Sequence, residues 1–166
     1  MKLVPPELFY VSAAYGWLDL GNVAEARAEL ANIGADFRAH PDVLEVRWAI
    51  CAEEEHWIEG LQVARELLLY APERSSGWLH QAYALRRIPD GSIRKAWTAL
   101  LPAFDKFPTE SIIPYNLSCY ACQLQMLDAA RVWLKRAAVI GGKEKIKSRA
   151  LSDPDLQPLW EEIKNL

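Results

Sequence analysis

The sequence predicts an all-α protein built from stacked helical hairpins. Apolar residues recur at three- and four-residue intervals, the spacing of one helix face, in 44-LEVRWAI-50, 61-LQVARELLLY-70 and 124-LQMLDAARVWLKRAAVI-140. No stretch alternates polar and apolar residues for long enough to predict a strand. Glycine and proline residues interrupt the chain between segments of about 12–16 residues, the usual length of short packed helices.

The breaks between helices recur at a regular spacing. When the segments that begin at residues 21, 55, 91 and 125 are aligned, the sixth position always holds a small residue. These residues are Ala26, Gly60, Ala96 and Ala130, and successive members are 34, 36 and 34 residues apart. A period near 34 with two helices per unit predicts a stacked array of helical hairpins.

The third and fourth units carry the clearest pattern. The stretch 78-WLHQAYAL-85 places an aromatic residue early in the first helix, Ala96 supplies a small residue where the second helix would cross it, and Pro108 closes the unit. The segment 115-YNLSCYACQLQMLDAARVWLKRA-137 follows the same pattern. These units resemble tetratricopeptide repeats, and the resemblance covers roughly residues 7–142.

The resemblance implies a single domain, a right-handed superhelix of about four antiparallel helical hairpins plus a C-terminal capping helix. We expect the units at about residues 7–41, 42–74, 75–110 and 111–142, followed by a capping region at 143–166. An apolar stripe in the last segment suits a helix that closes such an array. The stripe consists of Leu156, Leu159, Trp160 and Ile163.

The second unit departs from the pattern at Trp48, where later units carry small residues. We expect Trp48 to face Gly60 across the hairpin, whereas the first unit pairs Ala14 with Ala26. Two helix axes approach to about 8–10 Å only when the side chains between them are small. A tryptophan opposite a glycine keeps that volume tolerable, so the two replacements compensate each other.

Composition excludes several classes of function. The formal net charge is -3, so no bulk positive field would recruit nucleic acid or an anionic membrane. No apolar run approaches the roughly 20 residues that span a bilayer, and the basic run 143-KEKIKSR-149 is interpreted as a solvated helix face. The three cysteines fit no disulfide framework and the start lacks a signal peptide's apolar core, which predicts a cytoplasmic location.

Cys119 and Cys122 form a C-x-x-C pair inside the first helix of the fourth unit. A redox pair would sit at a helix start, where the dipole lowers the thiol pKa, and a zinc site would need two further ligands. We therefore interpret both cysteines as packing residues and expect no metal or other cofactor. The chain also lacks a glycine-rich phosphate loop, a nucleophile elbow and an H-E-x-x-H motif, so we expect no enzymatic activity.

The resemblance implies that the first helix of each unit lines a concave groove that binds a peptide or partner protein. The family's binding positions carry over to Tyr15, Asp42, Glu45, Glu53, His80, Tyr83, Arg86, Arg87, Tyr115, Asn116, Cys119 and Gln123. In the family, the position of Asn116 commonly grips a ligand's backbone, and Arg87 could pair with a carboxylate. The predicted wall is acidic toward its N-terminal half, then basic, aromatic and polar.

The predicted function is a non-enzymatic scaffold for protein–protein interaction. Two alternatives stay open: a structural module that self-assembles through exposed aromatic residues, and the regulatory subunit of a larger complex or an enzyme of unrecognised type, which would require a deep pocket with convergent titratable groups. We expect a protein or peptide partner, no nucleic-acid or membrane partner, and a monomer or weak homodimer. A large exposed apolar patch would favour self-assembly.

Overall fold

The computed structural model describes residues 2–165, and every regular element in that range is helical. The α-helices are α1 Glu7–Asp19, α2 Val23–Ala31, α3 Pro41–Glu53, α4 Trp57–Tyr70, α5 Ser75–Leu85, α6 Ile93–Leu100, α7 Ala103–Lys106, α8 Ile112–Gln123, α9 Leu127–Gly141, α10 Lys143–Leu151 and α11 Trp160–Lys164. Short 3-10 helices lie at Ala35–Phe37 and Pro154–Leu159. The predicted all-α class is confirmed, and no described helix combines the length and apolarity needed to cross a membrane.

The chain divides into two compact units, Met1–Ala84 and Leu85–Leu166, and α5 ends at their boundary. In the first unit, α1 packs on α2 and α3 packs on α4. In the second unit, α8 packs on α9 and on the 3-10 helix Pro154–Leu159, and α10 packs on α9 and α11. We call residues 152–165 the C-terminal segment. The boundaries of the four repeat units stay a prediction.

Three hairpins turn through a residue with left-handed backbone. Gly21, Glu55 and Gln125 have φ values of 72°, 56° and 60°, and each occupies the first position of an aligned repeat segment. In the first turn, the Gly21 amide donates to the Leu18 carbonyl at 2.9 Å and the next amide donates to the carbonyl five residues back. The other two turns have the same pair of hydrogen bonds, which satisfies carbonyl groups that would lack a partner at a helix end. The helix predicted across 124–140 is therefore broken at Gln125, and α9 begins at Leu127.

Small residues lie where the helices of the first unit cross. Ala14 of α1 and Ala26 of α2 are both fully buried. In the next hairpin, a Cβ atom on Gly60 would lie 3.8 Å from Trp48 Nε1 and 3.4 Å from Cys51 Cβ. The predicted contact between Trp48 and Gly60 is confirmed, and Cys51 shares it.

The second unit buries the C-terminal segment in its core. Leu156, Leu159 and Ile163 are buried together with residues of α8, α9 and α10. The predicted capping helix is not continuous, because Pro154–Leu159 is 3-10 and α-helix begins only at Trp160. Pro158 lies inside the 3-10 segment, where it lacks the N–H that an α-helical bond requires.

Candidate partner-binding surface

Six of the predicted binding residues belong to the first unit, and five of them lie on or beside one cluster. Glu45 of α3 is at its centre, because its carboxylate accepts hydrogen bonds from His80 Nε2 at 2.8 Å and from the Ser76 hydroxyl. Burial opposes ionisation of Glu45, but the bonds from His80 and Ser76 outweigh it and lower the pKa of this carboxyl. Glu45 is therefore a half-buried carboxylate held in one orientation between α3 and α5.

Aromatic rings surround this carboxylate. The His80 imidazole stacks on the Trp48 indole, with ring centroids 3.7 Å apart and planes 10° from parallel. Tyr83 meets the edge of Trp48 at 5.9 Å and lies 5.6 Å from Trp57. Offset and edge contacts of this kind hold aromatic rings in fixed positions. The four rings therefore form a stiff platform, and Tyr83 at 39% exposure is its outer member.

Two further predicted residues lie beside Glu45. Asp42 pairs with Arg74 at 2.7 Å. Tyr15 of α1 is 42% exposed, and burial together with the nearby Glu45 and Asp42 carboxylates raises the pKa of its phenol. Glu53 is exposed at the last residue of α3, about two helical turns beyond Glu45, and contributes only charge. We call the set Tyr15, Asp42, Glu45, Trp48, Arg74, Ser76, His80 and Tyr83 the α3–α5 surface.

In the second unit, the predicted face of α8 is covered by the chain's own C-terminal segment. Tyr115 and Cys119 are only 1% and 2% exposed. The Tyr115 hydroxyl donates to Asp153 Oδ2 at 2.8 Å, and Cys119 Sγ donates to the same oxygen at 3.6 Å. Neither side chain can reach a partner in this structure, which corrects their assignment as binding residues.

The same segment engages two more of the predicted residues. Arg86 pairs with Asp155 at 2.9 Å and lies over the Tyr120 ring, and Gln123 Nε2 donates to the Asp155 carbonyl at 3.1 Å. Asn116 is half-buried, and its amide nitrogen donates to the Ile112 carbonyl of its own helix at 3.0 Å. Arg87 is half-buried.

Cys119, Asp153 and Asp155 bring three possible metal ligands within 4.8 Å of one another. Their oxygens are already engaged, because Asp153 accepts from Tyr115, Cys119 and the Asp155 amide while Asp155 pairs with Arg86. Burial raises the pKa of the Cys119 thiol, and a metal binds the thiolate. The chemistry of this cluster suits an internal polar junction and does not suit a metal ion.

The C-x-x-C pair lies in the C-terminal half of α8, and both thiols are buried. Burial also raises the pKa of the Cys122 thiol. A reactive dithiol needs the opposite conditions, an exposed helix N-terminus that lowers the thiol pKa. The interpretation of both residues as packing residues agrees with this geometry.

Sequence reasoning missed the partners that organise both sites. No sequence motif includes Arg74 or Ser76. Arg74 binds Asp42 and Ser76 binds Glu45 only because the start of α5 lies against α3. In the Ser-Asp-Pro-Asp stretch at 152–155, Asp153 caps the 3-10 helix that begins at Pro154 by accepting from the Asp155 amide at 3.0 Å. Nothing local in that stretch indicates that it lies against α8.

The architecture defines a helical-repeat protein of the tetratricopeptide-like fold. A solved structure described as "MamA RS-1 ArsTM double mutant" matches it with a TM-score of 0.69 over 84% of this chain and 77% of that chain. Sequence identity is 14%, so the likeness concerns the fold alone. No protein-family model matches the sequence. No curated protein matches it either.

Proposed function

We propose that this protein is a non-catalytic scaffold that binds a segment of a partner protein on the α3–α5 surface. The observation that carries the proposal is the presence of two exposed tyrosines, Tyr15 and Tyr83, on the same surface as the Glu45 carboxylate that His80 holds. Tyrosines on a rigid base supply contact area with little loss of side-chain entropy, and they are enriched among residues that dominate binding energy.

The charge of this surface indicates the partner's chemistry. Glu45 stays ionised because its pKa is lowered, and it is half-buried, so a lysine or arginine brought near it would interact in a medium of reduced polarity. Exposed Glu53 extends the acidic character along α3. The proposed partner segment therefore carries a basic residue beside an apolar or aromatic one.

The covered α8 face supports assigning the interaction to the first unit. Residues of α8 that the family would use for a ligand hold Asp153 and Asp155 instead. On the α3–α5 surface, by contrast, Tyr15 and Tyr83 are 42% and 39% exposed. The α3–α5 surface thus combines the predicted binding positions with exposed rings.

A photo-crosslinking experiment tests the proposal. A benzoylphenylalanine at position 15 or 83 should crosslink the same partner in extracts of the native host, and mass spectrometry would identify it. The matched control is position 70, because Tyr70 is also an exposed tyrosine, at 54%, but lies on α4. Equal crosslinking at position 70, or none at 15 and 83, would contradict the proposed surface.

Self-assembly is the second candidate, and one observation favours it. Val4, Leu8 and Phe9 are 51%, 45% and 63% exposed at the start of the first unit, an unusual concentration of apolar surface. If this patch joins copies of the chain, Phe9→Ser should lower the sedimentation coefficient at high protein concentration. Equal sedimentation coefficients for the wild-type protein and Phe9→Ser at that concentration would exclude association through Phe9.

A further inference from the structure

The last three helices of the second unit leave an open apolar groove of about 600 Å³. Leu134, Ala138 and Val139 line it from α9, Ile146 and Ala150 from α10, and Ile163 from α11. On α9, Leu134 and Ala138 are four positions apart, as are Ile146 and Ala150 on α10, so each pair lies on one helix face, and the five-residue α11 adds Ile163. Val139 is 80% exposed at the edge of this groove, an exposure that a core valine would not have.

The groove has a basic rim although the chain as a whole is acidic. Four cations and one carboxylate line it, whereas the net charge of the protein is -3. The carboxylate, Glu162, is held by Arg131 at 2.7 Å. Lys135 and Lys143 are exposed, and neither forms an ion pair with any residue between 2 and 165. Two cations thus flank an apolar floor.

We propose that this groove seats an amphipathic helix of a partner protein, with acidic residues flanking its apolar face. A helix fits because one apolar face of α9 and one of α10 converge there with Ile163, and they leave the place where a further helix of the stack would pack. Its anchors would lie at positions i, i+3, i+4 and i+7, as in other helix-in-groove complexes. Aspartate or glutamate beside those anchors would meet Lys135 and Lys143, which complements the charge of the rim.

This site lies in the second unit and does not depend on the α3–α5 surface, so either assignment can fail without the other. The test is a phage-displayed library of amphipathic helices whose apolar positions are fixed as leucine and whose flanking positions are random. It is selected against the full chain, and the best peptide is then titrated by fluorescence anisotropy. We expect the selected flanks to be enriched in aspartate and glutamate and the Kd to be micromolar.

Variants locate the bound peptide. Lys135→Glu with Lys143→Glu, and separately Val139→Glu, should each weaken binding by about tenfold or more, since the first reverses the rim charge and the second places a charge in the apolar stripe. Arg65→Glu with Lys145→Glu is the matched control, because it changes the net charge equally at exposed residues outside the groove. This control should leave the Kd within about twofold. Circular dichroism confirms that all variants are folded.

Several outcomes would overturn the proposal. Failure to select any helix, or enrichment of lysine and arginine in the flanks, excludes an acidic helix. A Kd that both groove variants leave unchanged shows that the peptide binds elsewhere. Phosphatidylserine vesicles that bind through Lys135 and Lys143 when the peptide does not would show that the groove recognises an anionic lipid surface instead.

Discussion

The carboxylate of Glu45 lies 2.8 Å from Nε2 of His80, and this hydrogen bond joins α3 to α5 across the centre of the α3–α5 surface. The same imidazole ring stacks on Trp48, so one side chain connects the carboxylate to the aromatic platform. Charge and ring positions on this surface are consequently coupled. A change that frees His80 would alter both.

The Glu45 contact makes stability depend on pH. The pKa of Glu45 is held below its ordinary value by hydrogen bonds from His80 and Ser76, against the opposing effect of burial. A carboxyl group whose pKa is lower in the folded than in the unfolded chain stabilises the fold above the unfolded pKa, near 4.3, and this stability is lost as the pH falls through the folded pKa. Glu45→Gln should therefore lose about 1–2 kcal/mol at neutral pH.

Thermal melts at a series of pH values measure this effect. Between about pH 5 and pH 3, the Tm of the wild-type protein should fall more steeply than that of Glu45→Gln. Glu53→Gln is the control, because Glu53 is exposed, and its slope should match that of the wild-type protein. Parallel slopes for wild type and Glu45→Gln would show that the carboxylate contributes no net stability.

The left-handed turns predict stabilising glycine substitutions. Glu55 and Gln125 adopt positive φ, which costs a residue with a Cβ atom about 1 kcal/mol, whereas Gly21 adopts it without strain. Glu55→Gly and Gln125→Gly should each raise the free energy of unfolding by about 0.5–1 kcal/mol. Gly21→Ala should lower it by a similar amount.

A glycine inside a helix serves as a control, because replacing it with alanine should have the opposite effect to Gly21→Ala. Gly16 lies in α1 with nothing within 4 Å of the place its Cβ would take, so Gly16→Ala should be stabilising. Urea denaturation measures all four variants. If Glu55→Gly and Gln125→Gly both lower the free energy of unfolding, the positive φ at these two turns does not cost the protein measurable stability.

Helix positions and crossing residues could be predicted because they are encoded locally. Ala14, Ala26 and Ala130 are fully buried where the repeat alignment placed small residues. The covering of α8 could not be predicted in the same way, because it depends on contacts such as that between Tyr115 and Asp153, 38 residues apart. Periodicity identifies which face of a helix is apolar, but not which distant segment will cover it.

The contact between Trp48 and Gly60 predicts a size-dependent series of substitutions. A Cβ on Gly60 would lie 3.4 Å from Cys51 Cβ and 3.8 Å from Trp48 Nε1, which is ordinary contact distance, so Gly60→Ala should change stability by less than about 1 kcal/mol. Gly60→Leu adds three further carbons to this crossing and should cost about 2–4 kcal/mol.

A double-mutant cycle tests whether Trp48 is the obstacle. Trp48→Ala alone should cost about 3–5 kcal/mol, because the indole also supports His80. Combined with Gly60→Leu, the total loss should be smaller than the two separate losses by at least about 1 kcal/mol. Additive losses in urea denaturation would mean that the leucine collides with Cys51 and not with the indole.

The hydrogen bond between Tyr115 and Asp153 should make a large contribution to the stability of the second unit. The Tyr115 side chain is buried, and its hydroxyl lies 2.8 Å from Asp153 Oδ2, the oxygen that also faces Cys119 Sγ. Asp153→Ala removes this acceptor and leaves the buried hydroxyl without its partner, so the variant should lose about 2–3 kcal/mol. Tyr115→Phe removes the hydroxyl donor together with the cost of desolvating it, so this variant should lose only about 1 kcal/mol.

A double mutant and a control test this reasoning. Added to Tyr115→Phe, Asp153→Ala should cost less than it does alone. Ser152→Ala, at an exposed neighbouring residue, should cost almost nothing. Guanidinium denaturation measures each step, and labelling of Cys119 by iodoacetamide reports whether the segment has left α8. If Asp153→Ala neither lowers the stability nor speeds the labelling, the C-terminal segment is held by its apolar residues alone and the polar junction contributes nothing to its attachment.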